Sequence, residues 1–392
     1  MRDAVVVDIV RTPSGRGKPG GALSGVHPTD LLAQTLTALL ERAGIDPGLV
    51  DDVIGGCVSQ AGQQSMNITR SAVLAAGLPE HVPATTIDRQ CGSSQQALHF
   101  AAQGVLAGAY DVAIACGVES MSRVPMFSAT QGQDPYGRLL GRRYPDGLVS
   151  QGVSAELIAA RWKLDRETLD EYAARSHRLA AEASAAGRFA GEIVTIPVGD
   201  GSVAADETIR PATTVEGLAG LRPAFADEAI AARFPEIDWR ITPGNSSPLS
   251  DGASAALVVA ADVAERLGLR PRARLHAFAV VGDDPVLMLT GVVPATRKVL
   301  ERGGLTIERI DAYEVNEAFA PVPLMWAREV GADPERLNPR GGAIALGHPL
   351  GASGLRLMAT MLGHLEATGG RYGLQTMCEG GGMANATIVE RL

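Results

Sequence analysis

The chain contains two copies of one arrangement of strands and helices, and this repeat limits its fold more than any other feature. Asp51 and Asp311 stand at matching places in the two copies, and so do Cys116 and Cys378. The strand, helix and strand segments are 50–58, 93–107 and 111–115 in the first copy and 310–315, 352–365 and 373–378 in the second. This alternation predicts an α/β fold of two half-domains with corresponding strand ends side by side. Ligands of open α/β sheets bind at such carboxyl ends.

A long segment inside the first copy departs from the repeat. Residues 120–241 are more polar and more charged than their surroundings, and helical spacing at 153–186 predicts a helix that begins near Ser150. We therefore expect an N-terminal half formed by 1–119 with 245–267, an inserted lobe at 120–244, and a C-terminal half at 268–392. An excursion of this length is typical of a lid, a ligand-binding lobe or an oligomer contact.

Composition and charge exclude several classes of function. The chain carries a formal net charge of −9, which argues against a general binder of nucleic acid or membrane surface, since both need a basic face. The four cysteines form no CxxC pair and no dense framework, so neither a zinc site nor a disulfide scaffold is expected. The N-terminus is strand-like, and no apolar run reaches the ~20 residues of a membrane span. We expect a cytoplasmic protein with free thiols.

Cys91 is the first candidate for chemistry. A strand-like segment precedes it and a helix pattern follows from Ser93, so we expect the thiol at a helix N-terminus. The positive end of the helix dipole and the free backbone N–H groups there favour the thiolate, which is the reactive form. Gly92 and Ser94 are small enough to let a bulky thioester approach. An inert cysteine in an α/β core is an equally good explanation of the pattern.

His348 is the candidate base. It lies between Gly347 and Pro349, where glycine leaves space and proline restricts the backbone. A histidine in such a segment can take a proton from a thiol such as Cys91. The alternative is a turn histidine that only packs against its neighbours, and the residues alone do not decide between the two.

Cys378 and Asn316 complete the set of candidates. Cys378 ends a predicted strand before a glycine run, whose backbone N–H groups can bind a developing oxyanion. The alternative is a core cysteine, as we expect for Cys116. Asn316 follows the strand at 310–315 and could hold a water or a carbonyl oxygen. Taken singly, it is more simply explained as a helix N-cap.

Together these residues lie in ordered segments that resemble the signatures of the thiolase family, enzymes that make or cleave 3-ketoacyl-CoA. The segments are 117–122, 244–253, 316–319, 341–354 and 378–382. The resemblance covers nearly the whole chain. It implies two repeated βα half-domains with mixed five-stranded sheets, packed in αβαβα layers, plus an inserted loop domain. It also implies reversible acyl transfer between 3-ketoacyl-CoA and CoA through a cysteine acyl-enzyme.

The resemblance implies a role for each candidate. Cys91 would attack the acyl-CoA and carry the acyl group as a thioester. His348 would accept the Cys91 proton and later help to bind the thioester oxygen of the second substrate, together with a water held by Asn316. Cys378 would remove the α-proton of acetyl-CoA in condensation or return it in cleavage. Backbone N–H groups of Cys91 and Gly380 would form a second oxyanion site.

By the same resemblance, coenzyme A is a substrate, and neither a cofactor nor a metal is needed. The inserted lobe would bind CoA, and Arg222 is the candidate contact for its nucleotide end. The expected contacts of the pantetheine arm and its tunnel are Ser247, Leu249, Met288, Ala318 and Phe319. The family also implies a homodimer or homotetramer, without a nucleic-acid or membrane partner.

Three positions near the expected acyl end depart from the family pattern. Ser94 stands where a glycine is usual, Asp88 where an asparagine is common, and Glu379 where most members have an apolar or small residue. These departures leave the acyl specificity open. The combination is most similar to degradative thiolases of actinobacterial type, including those that act on steroid-ring fragments.

Other functions on a related scaffold remain as alternatives. An acetoacetyl-CoA-specific biosynthetic acetyltransferase would use the same residues. A ketosynthase-like condensing enzyme would pair Cys91 with two histidines, or with a histidine and an asparagine, and would lack Cys378. A non-catalytic acyl-CoA-binding or sterol-binding protein would be expected to lose Cys91, His348 or Cys378, and none of them is lost.

Overall fold

The computed structural model describes residues 2–392. Its strands are β1 (Ala4–Arg11), β2 (Gly15–Arg16), β3 (Asp52–Gly56), β4 (Ala84–Ile87), β5 (Val112–Ser120), β6 (Ile196–Val198), β7 (Gly201–Val203), β8 (Ser250–Ala260), β9 (Ala273–Gly282), β10 (Ala312–Val315), β11 (Tyr372–Glu379) and β12 (Met383–Arg391). Its α-helices are α1 (Pro28–Ala43), α2 (Ile68–Ala75), α3 (Ser93–Ala107), α4 (Gly137–Arg143), α5 (Gln151–Arg161), α6 (Arg166–Ala185), α7 (Val215–Ala219), α8 (Glu228–Arg233), α9 (Ala261–Arg266), α10 (Val292–Gly303), α11 (Pro321–Val330), α12 (Ala343–Leu346) and α13 (Ser353–Thr368). Within the described residues, no helix has both the length and the apolar character that crossing a membrane requires.

The sheet of the first half has five strands in the order β4-β3-β5-β8-β1. β3 runs parallel to β4 and β5, whereas β8 runs antiparallel to β5 and β1. Every residue of β1, β5 and β8 is buried. Because these strands are covered on both faces, their sequences are nearly continuous runs of small and branched apolar residues and do not alternate with polar ones.

The second half repeats this arrangement with one strand reduced. β10 and β11 are parallel, and β12 runs antiparallel to β11 and β9. A single parallel bridge between Tyr313 and Leu337 takes the place of a fifth strand. The two sheets join at one corner, where two residue pairs connect β1 to β9. The prediction of two repeated halves with mixed sheets is confirmed.

Asp51 and Asp311 show why the repeat is visible in the sequence. The Asp51 carboxylate accepts hydrogen bonds from the backbone N–H groups of residues 111–112, at 2.6 and 3.0 Å, where β5 begins. The Asp311 carboxylate accepts from the N–H groups of residues 371–372, at 2.7 and 2.9 Å, where β11 begins. Each copy therefore connects its central parallel strands by the same side-chain contact, which satisfies two backbone donors.

The helices complete the predicted αβαβα layers. α1 and α2 cover the outer face of the first sheet, and α10 covers that of the second with α11 packed beside it. α3 and α13 pack against each other between the two sheets. α3 begins two residues after Cys91 and α13 begins five residues after His348, so both candidate residues lie near helix N-termini of the central layer.

The helix expected at 153–186 is two helices, and the prediction of a single one was wrong. Ser150 caps α5, as expected, by accepting an N–H of its first turn. After α5, Lys163 adopts a left-handed backbone with a φ of 53°. Asp165 then starts α6 by accepting the N–H of Thr168 at 2.8 Å. A local side-chain cap thus interrupts a segment whose apolar spacing is continuous.

Candidate active site

Cys91 lies in a tight turn between β4 and α3. Gln90 has a left-handed backbone with a φ of 49°, and its carbonyl accepts the Ser93 hydroxyl at 2.6 Å. The oxygen of that hydroxyl accepts the N–H of Arg89 at 2.9 Å. Gly92 is the N-cap of α3 and provides no side-chain cap. The turn places the thiol at the positive end of a 15-residue helix, where the sequence predicted it.

Polar groups from both halves of the chain act on the Cys91 thiol. Three groups each lower the pKa of the Cys91 thiol: the N–H of Cys91, the N–H of Gly380 and the side-chain amide of Gln151. Burial nevertheless raises the pKa of the Cys91 thiol to about 12, and Glu379 raises it further when its carboxyl group is charged. We expected the helix dipole to favour the thiolate, but the loss of water outweighs it, and the resting thiol is neutral.

Cys378 is brought to Cys91 by the end of β11, in the second half. Burial raises the pKa of the Cys378 thiol well above 9.0, and the neighbouring Cys91 raises it further. The turn after β11 leads into β12 and contains Gly381 and Gly382, which both have a φ near 80°. Only glycine adopts this backbone readily, and the N–H of the preceding Gly380 lowers the pKa of Cys91.

Hydrogen bonds on both ring nitrogens hold His348. Nδ1 lies 2.6 Å from the Ser353 hydroxyl, which donates its hydrogen to the carbonyl of Pro349 at 2.9 Å. The hydroxyl oxygen therefore accepts from Nδ1–H, and Nε2 carries no hydrogen. The Asn316 amide donates to Nε2 at 3.3 Å. Burial, together with the positive charge of Arg356, lowers the pKa of His348 to about 3, so the resting imidazole is neutral.

The backbone of His348 is anchored to β8. Gly347 has a φ of 82°, and a Cβ there would lie 2.7 Å from the hydroxyl oxygen of Ser250. That oxygen accepts the His348 N–H at 3.0 Å. The N–H of Ser250 in turn donates to the Met121 sulfur at 3.3 Å. The close approach of Ser250 thus explains why glycine precedes the histidine.

Asn316 continues the pairing of β10 with β11 and does not cap a helix. Its N–H donates to the carbonyl of Thr376 at 3.1 Å, two residues before Cys378. The next helix, α11, begins at Pro321, so the helix-cap alternative is wrong. The Asn316 Oδ1 is buried and has no hydrogen-bond partner within residues 2–392. An acceptor is therefore available beside the His348 ring.

Two buried carboxylates hold the loops around the site. Glu119 accepts two N–H groups from the loop after β3 and the N–H of Gly351, three residues beyond His348. Glu317 accepts two hydroxyl groups from α6 and the N–H of Ile344 in α12, just before His348. The histidine segment is thus tied to the first half on one side and to the inserted lobe on the other.

Four of the six residues expected to contact CoA lie together beside the inserted lobe. Met288, Ala318 and Phe319 belong to one buried apolar cluster. The N–H of Ser247 donates to the carbonyl of Ala318 at 3.0 Å. The ring of Phe225, from the lobe, stands edge-on to Phe319 with a centroid distance of 5.9 Å.

The other two expected contacts, Arg222 and Leu249, are exposed. Arg222 lies three residues before Phe225. The Phe225 ring packs against Gly152, because a Cβ on that glycine would be 2.3 Å from the ring. The neighbour of Gly152 is Gln151, which donates to the Cys91 sulfur. Phe225 thus packs beside the start of α5, next to the residue whose side chain acts on the buried thiol.

Gln151 and Ser353 are site residues that we did not identify from the sequence. Ser353 lies within the segment 341–354, so a hydroxyl close to the histidine in the chain was an available signal. Gln151 had none, because it reaches Cys91 only through the folding of the inserted lobe. The preceding serine predicted the start of the helix but not the direction in which that helix would point.

The remaining two cysteines belong to the apolar core of the first half. Cys57 and Cys116 are fully buried in the apolar core of the first half, and burial raises the pKa of both thiols. The expectation of a core role for Cys116 is thereby met. Across residues 2–392, no group of three or more His, Cys, Asp or Glu side chains is arranged to hold a metal ion.

Family profiles match both halves of the chain. The profile of the thiolase N-terminal domain matches residues 4–262, and that of the thiolase C-terminal domain matches residues 269–391. The chain belongs to the thiolase family. The resemblance noted in separate segments is therefore confirmed over nearly the whole length of this thiolase, including residues 120–244.

Curated thiolases align with the full chain. It is 49% identical over 400 residues to the steroid 3-ketoacyl-CoA thiolase FadA6 of Mycobacterium tuberculosis, with 100% of this chain and 95% of that relative covered. It is 44% identical to the 3-ketoacyl-CoA thiolases of Aeromonas hydrophila and Marinobacter nauticus, with 100% of this chain and 100% and 99% of those relatives covered.

Proposed function

We propose that this thiolase cleaves 3-ketoacyl-CoA with CoA, and catalyses the reverse Claisen condensation, through an acyl-enzyme on Cys91. The observation that carries the proposal is the meeting of Cys91 and Cys378, one thiol from each half, with the N–H groups of Cys91 and Gly380 directed at the first sulfur. One thiol can bond to carbon while the other moves a proton. The names of the full-length relatives support the same reaction.

Cleavage begins when Nε2 of His348, the nitrogen without a hydrogen, releases the Asn316 amide and accepts the proton of Cys91. The thiolate attacks the 3-keto carbon, and the N–H groups of Cys91 and Gly380 stabilise the oxyanion. When the C2–C3 bond breaks, its electron pair forms the enolate of acetyl-CoA. The protonated His348 and a water held by Asn316 bind the enolate oxygen, and Cys378 gives its proton to the enolate carbon.

CoA completes the cycle. Cys378, now a thiolate, accepts the thiol proton of the incoming CoA, and the CoA sulfur attacks the thioester on Cys91. The same two N–H groups bind the second oxyanion, whose collapse releases the shortened acyl-CoA and the Cys91 thiolate. His348 then returns the proton to Cys91. Because every proton is returned, we propose that CoA takes part as a substrate and that no metal or further cofactor is needed.

For the two halves and the inserted lobe, 120–244, we propose the domain boundaries expected from the sequence. We assign CoA binding to this lobe. Arg222 is exposed and therefore accessible to the phosphates of the nucleotide, which a guanidinium recognises through paired hydrogen bonds. Phe225 and Phe319 line the way inward from it. We propose that the pantetheine arm passes Ser247 along this path, with Leu249 at its outer part and the cluster of Met288 and Ala318 at its inner part.

We propose that bulky acyl groups, including ring-bearing ones, are substrates. Cys91 packs in a small cluster with Met121, Leu350, Leu357 and Met377. Methionine side chains adapt to different shapes because they are unbranched and flexible. The relative that is 49% identical is named a steroid 3-ketoacyl-CoA thiolase. Values of kcat/KM from acetoacetyl-CoA to long-chain and ring-bearing 3-ketoacyl-CoA test this, and activity confined to acetoacetyl-CoA would favour the biosynthetic acetyltransferase.

The division of labour between the thiols is tested by substitution. Cys91→Ala should abolish both acyl-enzyme formation and thiolysis, and retained turnover would refute the mechanism. Cys378→Ser should still form an acyl-enzyme, detected by protein mass, but should cleave 3-ketoacyl-CoA very poorly. Equal loss of both half-reactions would remove its separate role. The matched control is Cys116→Ser, a buried cysteine at the corresponding place in the first copy, which should lose stability but keep kcat.

We also propose a cytoplasmic homodimer or homotetramer without nucleic-acid or membrane partners. β4 is the outermost strand of the first sheet and, among residues 2–392, pairs with a strand on one side only. Such an edge can pair with a second copy of the chain. All four cysteines are free thiols, which suits a reducing compartment. Analytical ultracentrifugation measures the assembly, and a monomer at micromolar concentration would contradict it.

A further inference from the structure

Glu379 is a buried acid that the proposed reaction does not use. Its side chain is fully buried, and neither carboxyl oxygen has a hydrogen-bond partner within residues 2–392. Oε1 lies against the backbone of Gly92, since a Cβ on that glycine would be 2.0 Å from it. Gly92 follows Cys91 and caps α3. The carboxyl group is therefore packed directly against the turn that carries the reactive thiol.

The surroundings of Glu379 suit an uncharged acid. The Asn385 amide nitrogen is close by, since it would lie 2.8 Å from the same Cβ on Gly92. This amide donates to the carbonyl of Gly92, and the Asn385 Oδ1 lacks a partner in the described chain. Arg89 donates to the sulfur of Met383, the cross-strand neighbour of Glu379. A carboxylate here would be buried without a hydrogen bond, whereas a protonated acid adds a donor to a group of acceptors.

Four titratable or charged groups interact electrostatically with Glu379. Asp88 and Arg89 lie in the turn before α3, Cys91 follows them, and Cys378 precedes Glu379 on β11. Burial raises the pKa of Glu379 well above its ordinary value; Arg89 opposes this rise and Asp88 adds to it. In its charged form, Glu379 raises the pKa of both Cys91 and Cys378.

We propose that Glu379 is a positioning residue, uncharged in the resting enzyme, whose ionisation suppresses formation of the Cys91 thiolate. This inference rests on the proposed role of Cys91 as the nucleophile. Glu379 forms no bond to substrate, and the Cys91 proton still goes to His348. The consequence is an alkaline limit on acylation, because a negative charge appears beside the sulfur as Glu379 loses its proton.

The test is the rate at which iodoacetamide alkylates Cys91 between about pH 6 and about pH 10, followed by the mass of the Cys91 peptide. Glu379→Gln keeps the shape of the side chain and removes its charge at every pH. The ratio of variant to wild-type rate should be near one at the lowest pH and about tenfold or more at the highest. At an effective dielectric constant of about 20, any charge within about 10 Å of the sulfur is sufficient for a tenfold change.

The matched control is Glu314→Gln. Glu314 is also a buried acid with two unpartnered oxygens in the described chain, but it is not among the groups that shift the pKa of Cys91 or Cys378, so its ratio should stay near one at every pH. Glu379→Leu should reproduce the rise seen with Glu379→Gln if the amide disturbs folding. The proposal is overturned if the ratio of variant to wild-type rate is the same at every pH for both Glu379 variants, whether that ratio is small or large. If Cys91→Ala retains thiolysis, the nucleophile assignment fails instead.

Discussion

Replacing Ser353 by alanine should slow acylation without unfolding the protein. The Ser353 oxygen accepts Nδ1–H of His348 at 2.6 Å and thereby keeps hydrogen off Nε2. In the variant, the buried Nδ1 loses its hydrogen-bond partner, and the ring can adopt the tautomer with hydrogen on Nε2. That tautomer cannot take the proton of Cys91, so formation of the thiolate becomes limiting.

The magnitude follows from the contact that is lost. Leaving a buried donor without a partner costs ~1–3 kcal/mol, and 1.4 kcal/mol corresponds to a factor of ten in rate, so kcat/KM should fall roughly 5- to 150-fold. Rapid-quench formation of the acyl-enzyme, detected by protein mass, should slow by the same factor. Binding of CoA should stay unchanged, because Ser353 lies apart from the residues assigned to it.

Ser254→Ala is the matched control for this prediction. The Ser254 hydroxyl is fully buried and donates to the carbonyl of Ala352 at 2.7 Å, in the same segment, but it does not hydrogen-bond to His348. The control should lose ~1 kcal/mol of stability and keep kcat/KM within about twofold of the wild-type value. If Ser353→Ala also stays within about twofold, the ring is held by something other than this hydroxyl, and the reasoning fails.

Three further predictions concern the thiol, CoA and pH. Gln151→Ala removes a donor that lowers the pKa of Cys91, so iodoacetamide should alkylate that thiol about fivefold more slowly near pH 8. An unchanged alkylation rate would contradict the effect of Gln151 on Cys91. Arg222→Ala should raise the KM for CoA about three- to tenfold and leave kcat unchanged; an unchanged KM would place the nucleotide elsewhere. Burial lowers the pKa of His99 to about 3, so the unfolded chain gains a proton below pH 6.5 that the folded chain does not. Stability should therefore fall as pH decreases, and His99→Gln should reduce the loss by up to ~1.4 kcal/mol per pH unit, measured by urea unfolding.

The sequence by itself determined the repeated architecture and most of the candidate residues. α3 begins and ends at the predicted residues, because its limits depend on local apolar spacing and on the glycines at its ends. Asp51 and Asp311 are recognisable as a pair because each makes its contact within one copy. Cys91, His348 and Cys378 were identified because each stands in a short segment with its own composition.

Only the tertiary structure decided how these residues act on one another. The interruption between α5 and α6 depended on a cap at Asp165, and the contact of Gln151 with Cys91 depended on the position of the whole lobe. The protonation of the site depended on depth of burial, which overrides the helix dipole at Cys91.

Glu379 illustrates the physical reason. In the sequence it is an acidic residue next to a cysteine, and nothing local tells whether its carboxyl group meets solvent. In the fold, β11 packs it against Gly92 of the other half, where neither oxygen finds a partner within residues 2–392. Spacing along a chain determines which face of an element a residue occupies, whereas charge state depends on every group that the fold packs around it.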